Sequence, residues 1–188
     1  DYEADDLMAT FAVKQPGPIR IVTGDRDLFQ LADDERDVKI VYLAKGISNH
    51  DLVDRAWIKQ RYEIPGDRYA LFAMIRGDAS DGLPGIRGIG EKGAATIANS
   101  FSSLGEVMKA AAAGDERLTP NLRKKLLESA DYAAIAPKLV GCALDVAIPE
   151  MDIALPKKPK SLAKIEKLKE EYGLGASIDR IISALNWV

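Results

Sequence analysis

The chain has 188 residues, 47% hydrophobic and 29% charged, a balance that excludes a disordered polyelectrolyte and suits one sizeable core with room for a small appended module. No apolar run approaches the roughly 20 residues needed to cross a bilayer, so a membrane protein is excluded, and a single cysteine, Cys142, which allows no internal disulfide, suits a reducing cytoplasm. Twenty-six Lys and Arg against 29 Asp and Glu leave a net charge of −3, which taken alone argues against a nucleic-acid partner.

The opening Asp1-Tyr2-Glu3-Ala4-Asp5-Asp6 has neither a basic stretch nor an initiator Met and reads as a piece excised from a longer polypeptide. Leu7, Met8, Phe11 and Ala12 recur at helical spacing and predict a helix from Ala4 to Val13, stopped by Gln15-Pro16-Gly17-Pro18. The β-branched run Ile19 to Thr23 predicts a strand, Leu28 to Leu31 a short helix, and Val38 to Leu43 a second strand. Helix, strand, helix, strand is the grammar of an α/β fold with parallel pairing. Beyond Gly46 the strand-forming runs disappear. Helices are predicted over Asp51 to Arg61, Asp67 to Ile75, Gly90 to Ser100, Leu104 to Ala113, Asn121 to Ser129 and Ala130 to Leu139. Asp145 to Pro159 reads as extended and Pro-rich, and helices follow at Ser161 to Glu171 and Ser177 to Leu185.

Acids gather in three places: Glu3, Asp5 and Asp6 at a helix start, Asp25 and Asp27 just past a strand, and Asp78 and Asp81 in Gly77-Asp78-Ala79-Ser80-Asp81-Gly82. Two residues apart in an extended segment, Asp25 and Asp27 are expected on one side, at the carboxyl end of the strand where open α/β sheets put their sites. Three apart, Asp78 and Asp81 are expected to converge on one face of a helical turn. Such a cluster cannot fully ionise at neutral pH without counter-charge. Oxygen donors without imidazole or thiolate select Mg²⁺ or Mn²⁺, and two such ions roughly 4 Å apart would clamp the attacking and leaving oxygens of a phosphodiester. Each cluster taken singly has a structural reading: Asp25-Arg26-Asp27 as a turn, Asp5-Asp6 as acids favoured at a helix start. His50 lies in a polar connection and Cys142 in an apolar run as a small core residue, so triad or disulfide chemistry has nothing to work with.

Directly after the third cluster comes Leu83-Pro84-Gly85-Ile86-Arg87-Gly88-Ile89-Gly90-Glu91-Lys92-Gly93, a helix-hairpin-helix pattern. Gly88 and Gly90 let backbone approach a ligand, Ile86 and Ile89 anchor the turn, and the amides opening the helix at Gly90 form an anion site to which Lys92 adds charge. Such contacts hold a DNA backbone without reading sequence. Basic residues also gather in Arg123-Lys124-Lys125 and in Lys157, Lys158, Lys160, Lys164, Lys167 and Lys169, the latter group equally readable as a solvated helix face.

Glu-Ala-Asp-Asp at 3–6, Thr-Gly-Asp-Arg-Asp at 23–27, Gly-Asp-Ala-Ser-Asp-Gly-Leu-Pro-Gly-Ile at 77–86 and the following Gly-Ile-Gly-Glu-Lys together resemble the bacterial 5′ nucleases, free-standing or as the amino-terminal domain of DNA polymerase I. The resemblance implies a PIN-like parallel-sheet core (1–46), a helical domain with a helix-three-turn-helix (47–144) and an extended segment with closing helices (145–188). It implies a Mg²⁺-dependent 5′-3′ exonuclease or flap endonuclease of replication and repair, monomeric and nucleoid-associated, with duplex and flap DNA as partner. Glu3, Asp5, Asp6 and Asp25 would belong mainly to a first metal site and Asp27, Asp78 and Asp81 mainly to a second, with K⁺ held by the carbonyls of Ile86 and Ile89. Members of the family carry, ahead of Glu-Ala-Asp-Asp, a further strand with a metal-binding Asp and an arch supplying a Lys, an Arg and a Tyr. Without them the sheet is expected to be incomplete at its amino-terminal side, and that segment of the same protein becomes a partner. Two other readings stay open: a non-catalytic module for branched DNA, and a PIN-like ribonuclease.

Overall fold

The computed structural model describes residues 2–150 and 154–187. It divides into two compact units, Asp1–Ala147 and Ile148–Val188.

Helix α1 (Ala4–Lys14) begins with Asp5 and Asp6 and ends on Lys14, both charges complementing the helix dipole. Its buried face carries Ala9, Thr10 and Ala12. Thr10 is fully buried, and its hydroxyl donates to the Ala143 carbonyl and accepts from the Val146 amide, both at 3.2 Å. Lys14 Nζ donates to the Val146 carbonyl at 2.9 Å, so the stretch 143–146 runs along α1, whose Ala12 and Val13 carbonyls accept from Arg36.

Strands β1 (Ile19–Thr23) and β2 (Val38–Tyr42) pair in parallel, Ile21 opposite Ile40. A third strand, β3 (Asp51–Val53), pairs antiparallel with β2, Val41 opposite Leu52. The sequence predicts a helix from Asp51, so this strand is a correction, and the sheet is mixed rather than purely parallel. The run is too short to carry a period of its own, and burial of Val53 beside Ile40 decides its state. Asp54 then caps α2 (Arg55–Tyr62), accepting from the Trp57 amide at 2.8 Å. Order β1-β2-β3 leaves β1 an open edge among the described residues, with Val22 57% exposed.

Between β1 and β2 the chain makes a 3-10 turn, Asp27–Leu31, whose Phe29 is the centre of an aromatic core. Its ring meets Tyr42 edge-on at 4.9 Å and Trp57 at 5.6 Å, and Tyr69 stacks tilted at 5.2 Å. Tyr69 opens α3 (Tyr69–Arg76), buried along nearly its whole length because sheet-side and helical-side elements both pack on it. Helices α4 (Glu91–Ser100), α5 (Leu104–Ala113), α6 (Pro120–Glu128) and α7 (Ala130–Val140) complete this unit. Ser103 and Thr119 cap α5 and α6 through their hydroxyls.

In the second unit, Ser161 caps α8 (Leu162–Glu171), and Lys169 Nζ lies 2.6 Å from an Asp179 carboxylate oxygen on α9 (Gly175–Ala184). Lys157, Lys158, Lys160, Lys164 and Lys167 are exposed. The predicted extended stretch 145–159 has no regular structure among its described residues, and its residues 151–153 lie outside them.

Candidate functional site

Three separate segments bring the predicted acids to one end of the first unit. Glu3, Asp5 and Asp6 come from the start of α1, Asp25 and Asp27 from the loop leaving β1, and Asp78 and Asp81 from the loop leaving α3. They do not form one cluster. Glu3, Asp5, Asp6 and Asp27 line a hollow whose other wall is the end of α7, Lys138 to Cys142. Asp25 and Asp81 line a second hollow with Thr23, Arg26, Tyr42 and Ser80.

That partition corrects the extended-strand expectation for Asp25 and Asp27. The Asp25 carboxylate accepts from the Asp27 amide at 2.8 Å, and Thr23 Oγ1 accepts from the Asp25 amide at 3.0 Å. Asp25 thereby starts the 3-10 turn that carries Asp27 round to the other hollow. Gln30 fixes that turn to the opposite wall: its amide nitrogen donates to the carbonyls of Asp27 and Val140, both at 2.8 Å, and its oxygen accepts from the Cys142 amide at 3.3 Å.

Asp6 is largely committed to backbone. It accepts from the Ala143 amide at 2.7 Å and the Glu3 amide at 3.0 Å, and these bonds, Ala143 foremost, hold its carboxyl below the usual range. Asp5 moves the other way, raised by burial and then by Asp25, Glu3 and Asp6. Asp27 is raised furthest, to about 6, by burial first and then by Asp25, Asp81, Asp78 and Asp5. Burial, followed by the nearby acids, pushes the half-buried Cys142 thiol up to about 12, which leaves it an inert wall residue packed against the core.

Asp78 and Asp81 do not share a helical face. Asp78 and Leu83 exchange both backbone bonds, at 3.0 and 2.8 Å, closing a tight loop that exposes Asp81 and turns Asp78 inward to 8% exposure. There Asp78 meets Arg26 at 2.7 Å and Arg76 at 3.4 Å, and it accepts from the amide and hydroxyl of Ser80. The Ser80 hydroxyl, then its amide and the two guanidinium groups, lower its pKa. Among the described residues no three carboxylate, imidazole or thiol groups stand close enough together to hold a metal ion.

The hairpin follows directly. Ile86 and Ile89 are buried, the Ile86 amide donates to the Ile75 carbonyl, and the Ile89 amide donates to the Ile86 carbonyl, both at 2.9 Å. Gly85 has φ +65°, and a Cβ there would lie 2.6 Å from the Arg76 carbonyl oxygen, so only glycine fits. Gly88, Gly90 and Lys92 are exposed, and Gly90 opens α4 with no side chain to cap its first amides. Sequence reasoning assigned nothing to Gln30, Arg26, Arg76 or the particular position of Lys125. Arg26 sits between two predicted ligands and Arg76 only two residues before Asp78, whereas Gln30 and Lys125 meet Val140 and Gly88 across 110 and 37 positions.

Residues 1–63 match the family described as 5′-3′ exonuclease, N-terminal resolvase-like domain, and residues 64–163 its counterpart, 5′-3′ exonuclease, C-terminal SAM fold. A 5′-3′ exonuclease of Streptomyces coelicolor is 46% identical over 184 residues, 98% of this chain and 61% of that protein. One from Mycobacterium tuberculosis is 37% identical over 194 residues, again 98% and 61%. The thermostable DNA polymerase I of Thermus aquaticus is 32% identical over 92% of this chain and 21% of its own. The chain thus spans 61% of the length of the two exonucleases it matches. Among solved structures, T5 5′-exonuclease with bound zinc superposes with TM-score 0.60 at 16% identity, covering 98% of this chain and 59% of that one, a likeness of fold. Among the described residues no helix is long and apolar enough to cross a membrane. With both halves of the family matched in order along one α/β and helical frame, the chain belongs to the 5′-3′ exonuclease family.

Proposed function

We propose that the chain is the acid-bearing and DNA-gripping part of a structure-specific 5′ nuclease, a flap endonuclease or 5′-3′ exonuclease acting on DNA in replication and repair. The observation that carries this reading is the gathering of acids from three separate segments at two hollows of one unit, Glu3, Asp5, Asp6 and Asp27 lining one and Asp25 with Asp81 the other. Carboxylates lining these hollows call for positive charge, and an all-oxygen set suits Mg²⁺ or Mn²⁺. An ion in one hollow would be held by Glu3, Asp5 and Asp27, some of them through water because no three of these groups stand within direct reach of one ion among the described residues, and Asp25 with Asp81 would hold another. When bound, such ions supply Lewis acidity for phosphodiester hydrolysis. Asp6 and Asp78 would keep the loops carrying the other acids in place, Asp6 through the Ala143 amide and Asp78 through Arg26 and Arg76. The open amides at Gly90, with Gly88 and Lys92, would grip the backbone of the duplex behind the flap, and the carbonyls of Ile86 and Ile89 would seat K⁺. The free edge of β1 would pair with a further strand of the same protein, completing the acidic site. The enzyme would work in the cytoplasm, on the nucleoid.

The wide spacing of the acids, with no three close enough to hold an ion among the described residues, favours a second reading: a module that grips branched DNA without cutting it. A labelled 5′-flap duplex incubated with Mg²⁺, Mn²⁺ or EDTA separates the two, using this chain beside the full-length protein. Metal-dependent cutting by the full-length protein supports the nuclease. Binding by both with cutting by neither supports the module.

A further inference from the structure

Lys125 stands apart from the other basic residues of its cluster. On α6, Lys124 approaches Glu128 and Arg123 donates to the Gly114 carbonyl, both outside the hairpin. Lys125 instead reaches across the unit, and its Nζ donates to the Gly88 carbonyl at 2.7 Å. The next residue, Leu126, is fully buried, so the helix that presents Lys125 is locked in the core. Its methylenes lie along the same turn: a Cβ built on Gly88 would meet Lys125 Cε at 3.2 Å and Cδ at 3.6 Å. Gly88 has φ +78°, a left-handed conformation with no side chain of its own to hold it. Within the turn, among the described residues, only the Ile89 to Ile86 bond closes the backbone, and Gly88 is exposed beside it. An ammonium on that carbonyl therefore does two things. It fixes the peptide immediately ahead of the α4 amides, and it adds a fixed positive charge to the anion-facing turn.

We propose that Lys125 is a positioning residue of the phosphate-binding hairpin, holding the Gly88 peptide so that the opening amides of α4 meet a DNA phosphate in a fixed arrangement. The inference rests on the reading of the hairpin as a nucleic-acid interface. Because the contact is with backbone, its effect falls on binding of the duplex and not on the acids, which lie on other loops.

The test is binding of a 5′-flap duplex in EDTA by this chain carrying Lys125→Met, Lys125→Arg or Lys92→Ala, each followed by thermal unfolding. Methionine keeps the stem packing and removes the ammonium. Lys125→Met is expected to raise Kd roughly five- to tenfold at unchanged Tm, the size of one ordinary hydrogen bond, with Lys125→Arg restoring at least half of the loss. If Lys92→Ala weakens binding and Lys125→Met does not, the positioning role is overturned while the hairpin remains the interface. A loss of binding that only tracks a fall in Tm also overturns it. If neither substitution changes Kd, the hairpin is not the interface, and the functional reading beneath the inference falls with it.

Discussion

The guanidinium of Arg26 lies 2.7 Å from the carboxylate of Asp78, across 52 residues of sequence. Both belong to motifs expected to bind metal, and the contact divides those motifs into acids that face outward and one that locks two loops together. Asp78→Asn leaves Arg26 and Arg76 without their counter-charge. It is expected to cost roughly 1–3 kcal/mol of stability, read from urea unfolding, together with cleavage. Asp81→Asn, at the exposed position of the same loop, is expected to unfold like the wild type and to lose cleavage by the full-length protein alone.

The two acids in the first turn of α1 should separate in the same way. Asp6→Ala removes the carboxylate that accepts from the Ala143 amide and so loosens the 143–146 stretch from α1. A fall in Tm of about 2–4 °C is expected, with hydrogen exchange rising at residues 143–146. Asp5→Asn relieves a carboxyl raised by burial and by its neighbours, so its Tm should hold or rise while divalent-ion binding weakens.

Asp27 sets a pH dependence whose sign is fixed. Its folded-state value of about 6 stands above the ordinary 3.8, so the native state holds this proton more tightly than the unfolded chain. Its contribution to stability is complete below 3.8 and is lost as pH rises through about 6. Without divalent ions, Asp27→Asn should flatten the decline in Tm between about pH 4 and 7 that the wild type shows. Mg²⁺ should raise the wild-type Tm more at about pH 7.5 than at about pH 5, because only the ionised carboxylates recruit it. Equal stabilisation at both values would place the ion away from Asp27.

Tyr69 is fully buried, and its hydroxyl, beside the Tyr62 side chain, makes no hydrogen bond of good geometry among the described residues. Tyr69→Phe keeps the ring contacts with Phe29 and Tyr62 and removes a poorly satisfied polar atom. Stability is expected to stay level or rise by about 1 kcal/mol in chemical denaturation.

At the hairpin, Gly85→Ala meets both a left-handed backbone and the Arg76 carbonyl, and the loop joining α3 to the turn must shift to admit it. A loss of at least about 1–2 kcal/mol is expected, against near-neutral behaviour for Gly105→Ala, whose Cβ would meet nothing within 4 Å.

Local chemistry settled much of this protein before any contact was known. Helical spacing with Ser, Thr and Pro at helix starts marks α5, α6 and α8 to within a residue or two, because caps and periodicity are properties of neighbouring residues. The composition of the three acidic motifs and the glycine hairpin likewise names the family, since residue type and order need no third dimension. What tertiary structure decided is where those side chains go. Strand β3 exists because β2 offers Val53 a buried place, which a three-residue run cannot announce. Asp25 and Asp27 part company because the turn between them closes on the Asp25 carboxylate, and Asp78 turns inward because Arg26 and Arg76 are there to neutralise it. Lys125 finds Gly88 across 37 positions, a pairing that only the packing of α6 against the hairpin can fix. Spacing along a chain constrains direction within one element; across elements, direction is set by which partner can satisfy a charge or fill a core.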